Sequence, residues 1–144
     1  MRKLVIAIIL VVCLAKCEEL IPDRWYDLIY LSNESDYTIS YYCADGVFLD
    51  YGSSLYPDTL LPGKMPWRTF PVIKLDESKA IITEDYKIDE YFKFPADTLS
   101  VFIFHIDTLK KYSWEEVRDG YKILKRYDLS LSDLENSDFT ITYP

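Results

Sequence analysis

The sequence predicts a mainly β domain of the sandwich type with one or two short helices, and an α+β arrangement is the alternative. Three observations carry this. Runs of strand-favouring residues recur with a period of two; Asp36 to Tyr42 sets Tyr37, Ile39 and Tyr41 against Thr38, Ser40 and Tyr42. Leu99 to Ile106 (LSVFIFHI) is largely apolar on both faces, the pattern of a strand covered on both sides. Helix signals, by contrast, are few and short, so expected strands outnumber helices by about seven to two. At 144 residues the chain is one domain in size, and 49% hydrophobic with 28% charged residues excludes wholesale disorder. Sixteen Lys and Arg against 24 Asp and Glu give a net charge of −8, the wrong sign for a nucleic-acid partner.

Residues 1–16 read as an export signal. Arg2 and Lys3 form a positive head, and Leu4 to Leu14 is an unbroken apolar run of eleven residues. A membrane-spanning helix needs about 20, so this is the core of a signal peptide. Leu14-Ala15-Lys16-Cys17 then resembles a bacterial lipoprotein signal, with Leu and a small residue preceding the Cys that is lipidated. Leu14 and Ala15 match, and Cys17 is the lipidation site the resemblance implies. Lys16 departs from the small residue that the family places there. Ordinary cleavage after Ala15 is the competing processing and gives a soluble periplasmic protein. Glu18 and Glu19 resemble the export tag of Bacteroidetes surface lipoproteins, which implies the outer membrane. Losing Arg2, Lys3 and Lys16 leaves 13 basic against 24 acidic residues, net −11. Anionic lipid repels such a surface, so attachment falls to the acyl chains on Cys17.

The remaining elements follow in order. Residues 17–35 form a lipid-anchored lead-in, with Trp25, Leu28 and Ile29 docking part of it on the body, and residues 36–144 form the β-rich domain. Asp36 to Tyr42 is the first strand and Val47 to Tyr51 a short second one. Residues 55–67 hold three prolines and a glycine, an irregular connection. Arg68 to Lys74 is strand-like, but Pro71 cannot donate to a ladder and confines it to an edge or bulge. Ala80 to Thr83 and Tyr91 to Phe94 are weaker strands around a charged turn or short helix at 84–90. After Leu99 to Ile106, Ser113 and Glu116 form a capping box, Tyr112 and Val117 a hydrophobic staple, and Gly120 a stop. Tyr121 to Leu129 returns as a strand, Ser132 and Glu135 repeat the capping signature, and Asp138 to Tyr143 closes the domain. The tail YKILKRYDLSLSDLENSDFTITYP, together with Tyr56 to Pro62, resembles small lipoproteins of gut Bacteroidetes. That resemblance implies an envelope location and no particular activity.

Candidate chemistry is sparse. His105 has Asp107 two residues on, but no nucleophile motif accompanies it, and packing at a strand end is the favoured role. The carboxylate pairs Glu84-Asp85, Asp89-Glu90 and Glu115-Glu116 read as solvated charge rather than a glycosidase pair. Asp45 and Asp50 do not fit an EF-hand. With Cys13 removed and Cys17 lipidated, Cys43 can form no intramolecular disulfide and, with one His, no zinc site; it reads as a small buried hydrophobe. No metal or cofactor is expected. Thirteen Tyr and three Trp are an excess suited to packing or to a binding platform, and Tyr51, Tyr56 and Trp67 sit in or near the Pro-rich connection. Asp-Thr-Leu occurs three times and resembles the acceptor for O-glycosylation of exported Bacteroidetes proteins, which makes Thr59, Thr98 and Thr108 candidate acceptors. The expected function is non-catalytic: a lipid-anchored envelope protein whose β-rich domain binds a protein or a glycan. The alternatives are an inhibitor or immunity-type protein that captures a basic enzyme, and a small hydrolase built on acidic residues.

Overall fold

A computed structural model describes residues 28–44, 58, 60–65, 69–82 and 97–144. Among them the order is β1 (Ile29–Asn33), β2 (Ile39–Ala44), β3 (Val72–Ile73), β4 (Glu77–Ile82), β5 (Thr98–His105), α1 (Ile106–Lys111), α2 (Trp114–Asp119), β6 (Lys125–Ser130), α3 (Leu131–Asn136) and β7 (Thr140–Tyr143). The chain is mainly β, as expected. Its two sheets run β4-β1-β7 and β3-β2-β5-β6. In the first, β1 is central, antiparallel to β4 and parallel to β7. The second is antiparallel throughout.

Period-two alternation aims one set of side chains between the sheets. Ile29 and Leu31 of β1, Ile39 of β2, Leu99, Val101 and Ile103 of β5 and Ile141 of β7 make the main core, which Leu134 of α3 closes. The opposite face of β5 is as apolar. Phe102 and Phe104 pack there with Tyr42, Ala44, Leu61, Leu109, Trp114 and Val117 beneath α1 and α2. The second sheet is thus sandwiched between the first sheet and a helical layer, which is why both faces of Leu99 to Ile106 are apolar.

Five expectations are corrected. The lead-in does not extend to residue 35, because Ile29–Asn33 is the central strand of the first sheet. Its alternation was obscured by a polar residue, Asn33, at a fully buried position. There are three short helices among the described residues, not one or two; α1 begins at Ile106, where a strand was expected to end. The second capping box belongs to Ser130 and Asp133, two residues before Ser132 and Glu135. Arg68 to Lys74 contracts to Val72–Ile73 at a sheet edge, beside Pro71. Tyr121 to Leu129 becomes a strand only at Lys125. The strands expected at Val47 to Tyr51 and Tyr91 to Phe94, and the turn at 84–90, lie outside the described residues.

Asn33 fastens two turns at one end of the sandwich. Its Nδ2 donates to the carbonyls of Tyr37 (2.8 Å), Lys74 (3.0 Å) and Ile73 (3.3 Å), and its Oδ1 accepts from the Ser35 hydroxyl (2.6 Å) and amide (3.2 Å). The strand registers place the ends of β1, β3, β5 and β7 and the starts of β2, β4 and β6 at this same end, with α1. The opposite end holds the start of β1, where the preceding chain joins.

Candidate binding surface

Of the residues singled out from the sequence, Cys17, Tyr51, Tyr56, Thr59 and Trp67 lie outside the described residues. Thr98 opens β5 opposite Ser130 and is half-buried. Thr108 is half-buried in α1, and its carbonyl accepts the Tyr112 amide at 3.1 Å. The two threonines therefore belong to regular elements and not to a loop. Cys43 forms no disulfide among the described residues and packs against the main core.

His105 has a structural task. It is the N-cap of α1, where its Nδ1 accepts the Asp107 amide at 3.1 Å, and its ring stacks on Tyr37 with centroids 4.9 Å apart. An Nδ1 that accepts an amide proton carries none itself, so the proton of the neutral ring sits on Nε2. Glu116 is likewise occupied: its carboxylate accepts the Ser113 amide at 2.9 Å in the capping box of α2. Among the described residues, no group of three or more His, Cys, Asp or Glu is placed to hold a metal ion. Tyr37 and Tyr143 share a hydroxyl–hydroxyl hydrogen bond. Burial, then that bond, pushes the Tyr143 phenol up to about 12; burial, then Cys43, does the same to Tyr41.

The Pro-rich connection is held onto α2 where it is described. The Trp114 indole donates to the Pro62 carbonyl at 2.8 Å, Arg118 Nη1 donates to the Gly63 carbonyl at 2.8 Å, and Leu61 is buried beside them. Leu60, one residue away, is 75% exposed. These bonds fix the middle of the segment that separates Tyr56 from Trp67.

Beyond α2 the chain builds a basic, aromatic corner that the sequence reading missed. The helix ends in a Schellman motif: the Tyr121 amide donates to the Arg118 carbonyl (3.1 Å) and the Lys122 amide to the Val117 carbonyl (2.9 Å). Gly120 is the C-cap in right-handed conformation, and the left-handed residue is Tyr121, with φ 46°. This exit turn swings Lys122 back over α1, where its Nζ lies 4.6 Å from the centre of the Tyr112 ring. Lys111 Nζ lies 5.1 Å from the same ring. Lys125 rests on Tyr127 at 4.5 Å, and the Tyr121 phenol sits beside Arg126, whose guanidinium lies over Phe102 at 5.3 Å. Residues 110–126 carry six Lys and Arg against three carboxylates, in a chain of net −8. That local excess of Lys and Arg was the signal available in the sequence.

Compared with known proteins, the chain matches no family model, no curated protein and no solved structure.

Proposed function

We propose that this chain is a non-catalytic lipoprotein of the cell envelope, held in the outer membrane by acyl chains on Cys17, whose β-rich domain binds a glycan or another protein. The observation that carries the reading is the run Leu4 to Leu14 behind Arg2 and Lys3, closed by Leu14-Ala15-Lys16-Cys17. Two features of the domain support it. Eleven residues separate Cys17 from Ile29, the first residue of β1, a tether of at most about 40 Å when fully extended. His105, the sole histidine, is committed to capping a helix. In this reading Tyr51, Tyr56 and Trp67 are ligand contacts, flanking the segment that α2 holds.

The test is to label cells expressing the full-length protein with an alkyne-bearing fatty acid and to fractionate their envelopes. The wild-type chain is expected to take the label and to sediment with outer membranes, and Cys17→Ala to take none. An unlabelled wild-type chain recovered in the soluble periplasm would show cleavage after Ala15 and overturn the anchor.

A further inference from the structure

We infer that the corner formed by Lys111, Tyr112, Tyr121 and Lys122 binds an anionic polysaccharide, a chain of sugar rings bearing carboxylate or sulfate groups. This rests on the reading of the domain as a binding module and names its ligand class. Three observations lead there.

The first is charge. Lys111 and Lys122 are exposed, and neither has an ion-pair partner among the described residues; both ammonium groups are drawn to the one Tyr112 ring. Two like charges on one ring repel each other, and the ring's negative face offsets only part of that. An anion bound near either ammonium group relieves that repulsion. Three nearby cations are already paired: Lys110 meets Asp107 at 3.5 Å, Arg118 meets Asp119 at 2.7 Å and Arg126 meets Asp128 at 2.8 Å.

The second is backbone strain at an exposed aromatic. A non-glycine residue in the left-handed region costs about 1–2 kcal/mol, and a Schellman turn ordinarily places glycine there. Here the position holds Tyr121, 49% exposed, with Leu124 at 40% close behind. Asp76, Asp138 and Phe139 also have positive φ, and of the four Tyr121 is the exposed aromatic, which makes its ring the one presented for contact. An exposed flat ring adjoining Lys122 suits a sugar, whose C–H face stacks on the ring while its acid group meets an ammonium group.

The third is size and place. Two partly exposed side chains fall far short of the roughly 800 Å² per partner of a stable protein interface, but they match one or two sugar rings. The strand registers put this corner at the end of the sandwich opposite the start of β1. Ile29, the first residue of β1, lies at that other end.

The test uses the full-length protein in detergent, titrated calorimetrically with polygalacturonate, dextran sulfate, neutral dextran, polyglutamate and phosphatidylglycerol vesicles. The two acidic polysaccharides are expected to bind, more weakly as salt rises, and Lys111→Gln with Lys122→Gln to weaken them about tenfold. Tyr121→Gly is expected to weaken them as well while raising Tm, because it removes the strain, so that loss cannot be ascribed to unfolding. Tighter binding of polyglutamate or of the vesicles would overturn the inference in favour of an acidic protein or a lipid headgroup. Binding of neutral dextran, with both lysine substitutions silent, would overturn it while leaving the binding-module reading intact. Binding of none of the five probes would also overturn it, and fatty-acid labelling would still decide the anchor separately.

Discussion

Asn33 and two tyrosines show how single polar groups are accommodated in this core. Asn33 is fully buried at the end of β1, yet both ends of its amide are bonded. Removing it takes a donor from the carbonyls of Tyr37, Ile73 and Lys74 and an acceptor from the Ser35 amide and hydroxyl. The Ser35 hydroxyl keeps the Tyr37 carbonyl and the Glu77 amide keeps the Lys74 carbonyl, each at 3.2 Å. Asn33→Ala is therefore expected to cost about 3 kcal/mol, read as a lower urea midpoint with unchanged m-value. Tyr41 and Tyr143 make a pH prediction. Both phenols are held to about 12 by burial first, then by Cys43 and Tyr37 respectively, whereas they ionise near 10 in the unfolded chain. Between those values the folded state binds more protons than the unfolded state. Their contribution is complete below pH 10 and is lost as pH rises from about 10 to about 12. Urea midpoints at pH 8, 10 and 11.5 should fall across the last interval, and Tyr143→Phe should reduce the slope toward that of one proton. A flat profile up to pH 12 would show that neither phenol is shifted.

At the scale of elements, local signals and long-range register compete, and register wins at α3. Ser130 with Asp133 and Ser132 with Glu135 both fit a capping box. Strand β6 runs in register up to Ser130, opposite Thr98, so the helix starts there; the Ser130 hydroxyl and amide both bond the Asp133 carboxylate, lowering its pKa. Ser130→Ala is expected to cost about 1 kcal/mol, and Ser132→Ala to stay within about 0.5 kcal/mol of wild type in the same urea titration. Equal costs would place the cap elsewhere. The comparison also shows what the sequence could reveal. Strand β5 and the Ser113 box were legible because their patterns are local and complete. Helix α1 was hidden because its cap is a histidine, outside the usual capping set, and β1 because its last inward position is an asparagine. The basic corner was hidden for another reason: Lys111 comes from the end of α1 and Lys122 from the exit turn of α2, and the Tyr112 ring brings them together only in the fold. The expected platform of Tyr51, Tyr56 and Trp67 was drawn from composition and loop chemistry, and it lies outside the described residues.

At the scale of the whole molecule, the two sheets are joined along both of their long sides. On one, the β3–β4 turn crosses between sheets and Lys79 of β4 donates to the Val72 carbonyl of β3 at 2.8 Å. On the other there is no short turn, and the Tyr127 hydroxyl of β6 donates to the Thr142 carbonyl of β7 at 2.7 Å. Each bond occupies a carbonyl on an edge strand, where an unsatisfied group invites another chain to pair. Tyr127→Phe keeps the ring against the core and under Lys125 but leaves the Thr142 carbonyl without its donor, a loss of about 1 kcal/mol. Strand β7 is bound to the rest of the first sheet through β1, so this loss should appear as local opening of that seam. The Glu34 amide, which donates to the Tyr143 carbonyl at 2.8 Å, should exchange with deuterium faster in Tyr127→Phe. The Leu124 amide, which donates to the Ile103 carbonyl at 2.8 Å in the second sheet, should keep its rate. Equal acceleration at both would mean that the phenol stabilises the whole domain and that the seam does not open on its own. If only Glu34 responds, the sheet that carries α1, α2 and the basic corner remains ordered while the other sheet's edge loosens, and polysaccharide binding should survive the substitution.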